Sequence, residues 1–232
     1  MDKKWTSHRN EYNIEKTFGG FVMVNRYPRW WFFYLMAKAL FYVAGILSLM
    51  FYGVVYTTAA LTNDYATYNE YVIAFGCWAL LFAPFVLNYI IAKKRKQKIQ
   101  SVLSEIRATG HFNPTKDSEG WLFWKSTYIG FDYNQGTIVY IRIYPGNVMD
   151  VIGFDAYSLT RTEVEGSKLR LYTKFASLPM IPIDTYAASN LADHIHGMNN
   201  KGYSYSFNFP EIVKQKRGKL ETLAGMPVPD LI

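Results

Sequence analysis

Two long uncharged stretches constrain the fold of this chain more than any other feature of its sequence. The first has no charged residue from Ala39 to Asn63, and its apolar character begins at Trp30, interrupted only by Lys38. The second runs without charge from Tyr71 to Ala92. An α-helix needs about 20 apolar residues to cross a hydrocarbon core of about 30 Å, and both stretches supply them. We therefore predict a hairpin of two transmembrane helices.

A helical hairpin in the core of a soluble protein is the alternative interpretation of these stretches. A helix that is apolar on every face must then be hidden completely, and a chain of 232 residues seldom hides two of them. The length of the stretches favours the membrane. Pro84 lies inside the second stretch, where neighbouring groups of a membrane protein can satisfy the carbonyl that a proline frees.

The distribution of charge predicts the orientation of the hairpin. The chain has a net charge of +7, and residues 1–98 carry all of the excess, with twelve basic and five acidic residues against thirteen of each in residues 99–232. The loop between the stretches contains Asp64 and Glu70 and no basic residue. Basic residues resist translocation, so both termini are predicted to be cytoplasmic. The same distribution argues against nucleic-acid binding, which needs basic residues gathered on a folded domain.

Residues at the predicted membrane boundary are aromatic before the first stretch and basic after the second. Tryptophan and tyrosine prefer the headgroup level of a bilayer, and lysine and arginine prefer its cytoplasmic side. An aromatic ligand cage, and a cluster that binds acidic lipid or nucleic acid, are the alternatives for these two groups. The predicted membrane-interface residues are Trp30, Trp31, Lys93, Lys94, Arg95 and Lys96.

The spacing of apolar residues changes from helix-like to strand-like at Trp121. Residues 99–109 have helical spacing, and short segments rich in β-branched and aromatic residues follow them. Asn134-Gln135-Gly136 and Glu165-Gly166-Ser167 are typical hairpin turns because glycine tolerates a positive φ. The predicted strands are Gly120 to Lys125, Tyr128 to Tyr133, Thr137 to Tyr144, Val148 to Phe154, Tyr157 to Val164, Lys168 to Thr173 and Met180 to Ile183.

The chain after these strands predicts one amphipathic helix and an irregular end. Apolar residues recur at helical spacing over residues 184–199, and Asp184 is placed to cap that helix. Residues 203–209 alternate aromatic and polar side chains, which predicts an edge strand, and a basic helical turn is predicted over 211–219. The proline-containing last residues are predicted to be an unstructured tail.

These elements predict an α+β chain, with a two-helix transmembrane hairpin followed by a cytoplasmic antiparallel β-domain with a C-terminal helix. Six or seven strands before one helix resemble the pleckstrin-homology-like (PH-like) fold, and Tyr128 to Ile141 is similar to the opening hairpin of bacterial PH-like domains. The predicted divisions are a cytoplasmic segment at 1–29, the transmembrane hairpin at 30–92 with spans at about 34–61 and 71–92, a basic linker and short helix at 93–119, the PH-like β-domain at 120–200 and a C-terminal extension at 201–232.

The sequence contains no arrangement typical of catalysis or of metal binding. His194 and His196 lie two residues apart on the predicted helix, so their side chains diverge by about 200° and cannot easily share a metal. Cys77 is the single cysteine, which excludes an intramolecular disulfide and a cysteine-based metal site. Nucleotide-binding and nucleophile motifs are missing from the sequence. We predict no catalytic residues, no cofactor and no metal site.

The layout of nearly the whole chain, and its N-terminal stretch in particular, resembles a known family. Lys4-Trp5 stands near the start, Gly19 to Arg26 reads GGFVMVNR, and Pro28 to Phe33 reads PRWWFF directly before the hairpin. With the hairpin and the C-terminal domain, this layout resembles the surface exclusion proteins of I-type conjugative plasmids. The resemblance implies a multi-pass protein of the bacterial inner membrane that blocks redundant conjugative transfer. It implies as partners the lipid bilayer and an inner-membrane protein of the donor conjugation apparatus.

Two other hypotheses for the function stay open at this point. One is a membrane-tethered cytoplasmic scaffold, or a PH-like module that binds lipid or protein and is unrelated to conjugation. The other is a membrane-bound enzyme, which would require His194 or His196 to meet an acidic side chain in a cleft. The sequence does not identify the partner-binding residues, and it leaves homo-oligomerisation open.

Overall fold

The computed structural model describes residues 15–18, 21–24, 26–63, 65, 67–175 and 178–230. The chain forms two compact units. One unit is Arg29–Ile91, and the other contains the described residues before and after it. We describe each unit by itself.

The Arg29–Ile91 unit consists of two helical segments. Helix α1 (Trp31–Leu40), a π-helical turn (Phe41–Gly45) and helix α2 (Ile46–Thr62) follow one another without interruption, and helix α3 (Tyr68–Arg107) begins after a short loop. Both segments are long and apolar enough to cross a membrane by length and composition. Only 6% of the most apolar window of the first segment and 11% of that of the second are buried. Pro84 lies inside α3 without ending it.

Small residues allow the two segments to pack closely. A Cβ atom on Gly53 would lie 3.2 Å from Cε2 of Trp78, so the glycine leaves room for the indole. The Trp78 Nε1–H donates to Thr57 Oγ1 at 3.1 Å, and the Tyr71 hydroxyl donates to the Ala60 carbonyl at 2.8 Å. These hydrogen bonds fix the register of the hairpin, because a polar group left without a partner in apolar surroundings costs free energy.

The other unit contains nine described strands, all paired antiparallel. They are β1 (Glu15–Phe18), β2 (Phe21–Val24), β3 (Glu119–Leu122), β4 (Thr127–Asp132), β5 (Thr137–Ile143), β6 (Met149–Asp155), β7 (Leu159–Glu165), β8 (Lys168–Thr173) and β9 (Met180–Asp184). A short N-terminal hairpin joins β1 and β2, a four-stranded sheet has the order β3-β4-β5-β6, and a three-stranded sheet has the order β7-β8-β9. The predicted α+β class is confirmed, and each of the seven predicted strands overlaps one of β3 to β9. Two predicted bounds are wrong, since Phe123–Lys125 and Ala156–Ser158 form 3₁₀ turns outside β3 and β7.

The four-stranded sheet is covered on both faces, which explains why almost every residue of β4, β5 and β6 is buried. Helix α4 (Ala188–Asn200) and the three-stranded sheet pack on one face, with Phe131 and Phe154 in the core. The end of α3 packs on the other face with helices α5 (Phe209–Gln215) and α6 (Arg217–Ala224). Continuous apolar strands are typical of a sheet buried on both sides.

The end of α3 contributes to the core of this second unit. Ile99, Val102, Leu103 and Ile106 are all buried against the four-stranded sheet, as their helical spacing predicts. After α3, Phe112 joins the same core. The segment that the sequence predicts as a basic linker and short helix therefore also supplies apolar side chains to the folded domain.

The chain from Asp184 onward differs from three of the sequence predictions. The edge strand predicted at 203–209 is wrong, since residues 203–207 form no strand. The Tyr203 and Tyr205 hydroxyls instead donate to the carbonyls of Tyr133 and Gly136, each at 2.6 Å. The predicted unstructured tail is wrong for residues 226–230: Met226 and Val228 are buried, and the Met149 N–H donates to the Pro227 carbonyl. Asp184 does not cap α4, since it ends β9 and pairs with Lys125.

A buried ion pair fixes the residues that precede the first apolar helix. Arg26 Nε donates to Asp150 Oδ1 at 2.7 Å, with 10% and 1% of the two side chains exposed. Tyr27 meets Tyr144 edge-on with ring centroids 5.7 Å apart, and Arg142 donates to the Tyr27 hydroxyl at 3.3 Å. Burial raises the pKa of Asp150, and Arg26 opposes that rise. Residues 26 and 27 are thereby attached to the hairpin of β5 and β6.

Candidate functional site

Two loops of the second unit present large aromatic side chains to solvent. Trp124 is 70% exposed in the turn between β3 and β4, and Tyr186 is completely exposed between β9 and α4. An ion pair between Lys125 Nζ and Asp184 Oδ2 joins these two loops, and it lowers the pKa of Asp184. We call Trp124 and Tyr186 the aromatic loop pair. Tryptophan and tyrosine dominate the binding energy of many protein interfaces, so this surface is a candidate for partner binding.

A second candidate site is a groove of about 340 Å³ between α3 and β3. Its α3 wall consists of residues spaced three or four apart, so they share one face of the helix. Its β3 wall consists of the Trp121 indole and the Glu119 carboxylate. We call it the basic groove, and its lining residues are Lys96, Gln100, Leu103, Ser104, Arg107, Glu119 and Trp121.

Polar and aromatic contacts connect the two walls of the basic groove. Lys96 Nζ lies 5.3 Å from the ring centroid of Trp121, within the range of a cation–π interaction. Arg107 forms an ion pair with Glu119, and the Trp121 Nε1–H donates to Glu119 Oε2 at 3.3 Å. The ring centroids of Trp121 and Tyr128 are 4.6 Å apart, and Tyr128 is fully buried behind the indole.

One buried polar atom of the basic groove, Arg107 Nε, has no hydrogen-bond partner among the described residues. Buried polar groups of folded proteins nearly always have a partner, supplied by protein, water or a bound ion. Arg107 Nε therefore marks the groove as a place where such a group fits. Behind Trp121, burial raises the pKa of Tyr128, the Glu119 charge raises it further and Arg107 opposes the rise, so the phenol stays neutral.

The structure places the predicted membrane-interface residues in two separate groups. Trp30 is exposed and Trp31 stacks on Tyr34 with ring centroids 4.9 Å apart. Lys93 and Lys94 are exposed on α3, Arg95 and Lys96 are half-buried there, and Lys96 lines the basic groove. Nothing in the structure tests whether these six residues contact a membrane, so that role stays a prediction.

The histidines do not assemble a catalytic or metal-binding group in the part of the chain that the structure describes. His194 Nε2 lies 3.1 Å from the Asp117 carbonyl, and His196 Nε2 lies 3.4 Å from the Thr162 hydroxyl. The ring of His111 stacks on Phe207 at 4.1 Å. Residues 15–230, apart from the gaps already given, contain no cluster of three metal-ligating side chains. His8 lies outside the described residues.

The sequence predicts Lys96 as a membrane-interface residue and predicts neither the basic groove nor the aromatic loop pair. The helical spacing of Gln100, Ser104 and Arg107 after Lys96 was the signal available for one wall. The other wall depends on the pairing of β3 with β4, which a single sequence does not specify. The exposure of Trp124 could not be inferred, because an apolar residue in a strand-like run is ordinarily buried.

Comparisons with known proteins identify a family for this chain. No curated protein matches it, and no solved structure matches it either, so the PH-like fold of residues 120–200 stays a prediction. A family model described as "Exclusion-determining protein" matches residues 26–231, almost the entire chain, and agrees with the resemblance to surface exclusion proteins. The chain belongs to the exclusion-determining protein family.

Proposed function

We propose that this chain is a membrane-anchored protein of plasmid exclusion, which blocks redundant conjugative transfer by interacting with a component of the conjugation apparatus. The observation that carries the proposal is the family match over residues 26–231, which supports a plasmid exclusion role. The match includes both long apolar helices and the whole β-rich part of the chain. In our proposal, exclusion by this chain works through recognition of that component.

Anchoring of this protein in the bacterial inner membrane is supported by the exposure of its apolar helices. Their most apolar windows are only 6% and 11% buried, whereas the core helices of a soluble protein would be largely covered. Exposing so much apolar surface to water is unfavourable, and a bilayer removes that cost. With basic residues on both outer flanks, a multi-pass arrangement with both termini in the cytoplasm follows from the positive-inside rule.

The partner of this protein, in our proposal, is an inner-membrane protein of the donor conjugation apparatus. We assign this contact to the aromatic loop pair, which requires that part of the donor protein reaches the cytoplasm of the recipient, where the topology proposed above puts the β-rich domain. Trp124 and Tyr186 are large and exposed, and the Lys125–Asp184 ion pair joins their loops. Burial of such side chains against a partner is a common source of binding energy at protein interfaces.

Counting transconjugants tests the proposed role. A recipient strain that expresses the full chain is mated with a donor carrying a related plasmid and with a donor carrying an unrelated one. We expect transfer from the related donor to fall selectively, relative to a recipient with an empty vector. Equal transfer from both donors, in cells whose membranes contain the protein, would show that the chain does not exclude.

The aromatic loop pair is tested in the same assay with the double variant Trp124→Ala, Tyr186→Ala. Truncation of two interface aromatics costs about 2 kcal/mol or more of binding energy each at a hot spot, so exclusion should be largely lost. Both side chains are exposed, so the thermal unfolding midpoint should stay near that of the parent. Leu223→Ala, which removes an exposed apolar side chain from α6, is the matched control and should exclude normally. Normal exclusion by the double variant would remove this surface from the proposal.

A further inference from the structure

We propose that the basic groove between α3 and β3 binds a phosphoryl group, carried by a lipid headgroup or by a soluble phosphoester. Two cationic side chains, Lys96 and Arg107, line the groove against one carboxylate, Glu119, so its lining has a net positive charge. Lysine and arginine are the side chains that bind phosphate oxygens most strongly. This site is separate from the aromatic loop pair, and the inference does not depend on the exclusion role.

The donors of the groove suit an oxyanion better than a neutral ligand. The Lys96 ammonium has three N–H groups, and its contact with the Trp121 face leaves their hydrogen-bonding capacity for a ligand. The Arg107 guanidinium has five N–H groups, of which one donates to Glu119. Gln100 adds an exposed amide one helical turn from Lys96. A tetrahedral anion accepts from several such donors at once.

A buried donor without a partner points to the same chemistry. Arg107 Nε belongs to a residue that lines the groove, and it has no acceptor among the described residues. Glu119, the acidic residue of the groove lining, already accepts from another nitrogen of Arg107 and from the Trp121 indole. Donors in excess of acceptors favour an incoming group that only accepts, and a phosphate dianion or diester is such a group.

The size and position of the groove suit a phosphoryl group from either of two kinds of molecule. Its volume of about 340 Å³ accommodates a phosphate together with a short organic portion, and Trp121 provides an apolar wall for that portion. Lys96 follows Ala92, the end of the predicted second span, by four residues along α3. A phospholipid headgroup and a soluble phosphoester such as glycerol phosphate therefore both fit the chemistry, and only the lipid arm assumes the membrane anchoring proposed above.

The test uses the full chain purified in a neutral detergent. Binding of sn-glycerol 3-phosphate is measured by calorimetry, and retention of phosphatidylglycerol against phosphatidylcholine is measured after exchange into mixed nanodiscs. Lys96→Gln should weaken binding about tenfold, equivalent to about 1.4 kcal/mol, because it removes one charge-assisted contact. Gln100→Glu, which places a negative charge in the groove, should abolish binding. Lys94→Gln removes the same charge from an exposed position of the same helix and should bind within about twofold of the parent.

Each result of these measurements either distinguishes a soluble phosphoester from a lipid headgroup or shows that the basic groove does not bind a phosphoryl group. Glycerol phosphate binding that Lys96→Gln weakens and Lys94→Gln does not would identify a soluble ligand. Selective retention of phosphatidylglycerol with the same dependence would identify a lipid. Equal losses in both lysine variants, or no binding of either probe, would overturn the proposal. Lys96→Arg keeps the charge and should keep binding, which separates loss of the site from loss of the fold.

Discussion

Gly153 lies where helix α5 crosses strand β6, and the crossing has no room for a side chain. A Cβ atom there would lie 2.6 Å from Cγ2 of Val213 and 3.0 Å from Cε1 of Phe209, both of which are buried. Gly153→Ala must therefore displace the helix or the strand. We expect a loss of about 1–3 kcal/mol in the free energy of unfolding, seen as a lower thermal midpoint of the purified protein.

Gly218 provides the matched control for that substitution. It lies inside α6, and a Cβ atom there would meet nothing within 4 Å. Gly218→Ala should leave the thermal midpoint unchanged or raise it, since alanine favours a helix over glycine by up to about 1 kcal/mol. A loss of stability as large as that of Gly153→Ala would contradict the role assigned to the crossing.

Glu105 on α3 predicts a dependence of stability on pH. Its carboxylate pairs with Lys216 and with Lys219 at 2.8 Å, and these lysines lower its pKa below the usual 4.5. Because the folded pKa is the lower one, the contribution is present above pH 4.5 and is lost as the pH falls through the lowered value. Glu105→Gln should lower the thermal midpoint at pH 7 and flatten its decline in acid. Asp193→Asn, at an exposed carboxylate without an ion pair in the described structure, should do neither.

Single residues were the least predictable part of this chain. The helical positions of Ile99, Val102 and Leu103 were predictable, because their spacing follows the period of the helix. Asp184 was assigned to a helix cap from the same spacing, but its carboxylate pairs with Lys125, which is 59 residues away in the sequence. An ion pair with a residue so distant in the sequence competes with a local helix cap, and the residues around Asp184 do not predict it.

At the scale of elements, the strands and the helical turn at 211–219 were predictable, and the segments on either side of that turn were not. The strands of the four-stranded sheet are apolar runs bounded by turn residues, and glycine at the β4–β5 and β7–β8 turns has the positive φ that such turns require. The alternation of Tyr203, Tyr205 and Phe207 predicted a strand, yet tyrosine hydroxyls can bond to a neighbouring backbone from a segment outside the sheet. The periodicity of a sequence predicts which side chains share a face, but it does not predict their hydrogen-bond partners.

The two apolar segments form an element whose topology can be measured directly. In a Cys77→Ser background, which removes the single cysteine, Thr67→Cys marks the short loop and Lys94→Cys marks the basic end of the second span. The positive-inside rule predicts that a membrane-impermeant maleimide labels the Thr67→Cys variant in spheroplasts of intact inner membrane.

The Lys94→Cys variant serves as the internal control of this labelling. It should react only after the membrane is opened with detergent. Labelling of Lys94→Cys in sealed spheroplasts, or protection of Thr67→Cys until detergent is added, would contradict the proposed orientation.

At the scale of the whole molecule, the two parts of the chain differ in hydrophobicity and in net charge. The first 98 residues contain both apolar segments and the entire excess of positive charge, and the remaining residues are neutral in sum. This contrast predicted the helical hairpin and the β-rich domain without any structural information. The aromatic loop pair and the basic groove were out of reach, since both bring together residues that are distant in the sequence.

The central claim is tested most directly by transfer frequency as a function of the amount of protein. The chain is placed under an inducible promoter in the recipient, its amount in the membrane fraction is measured by immunoblot, and transconjugants from related and unrelated donors are counted. We predict that the ratio of related to unrelated transconjugants falls as the amount in the membrane rises. A ratio that stays at its uninduced value while the protein accumulates there would contradict the account.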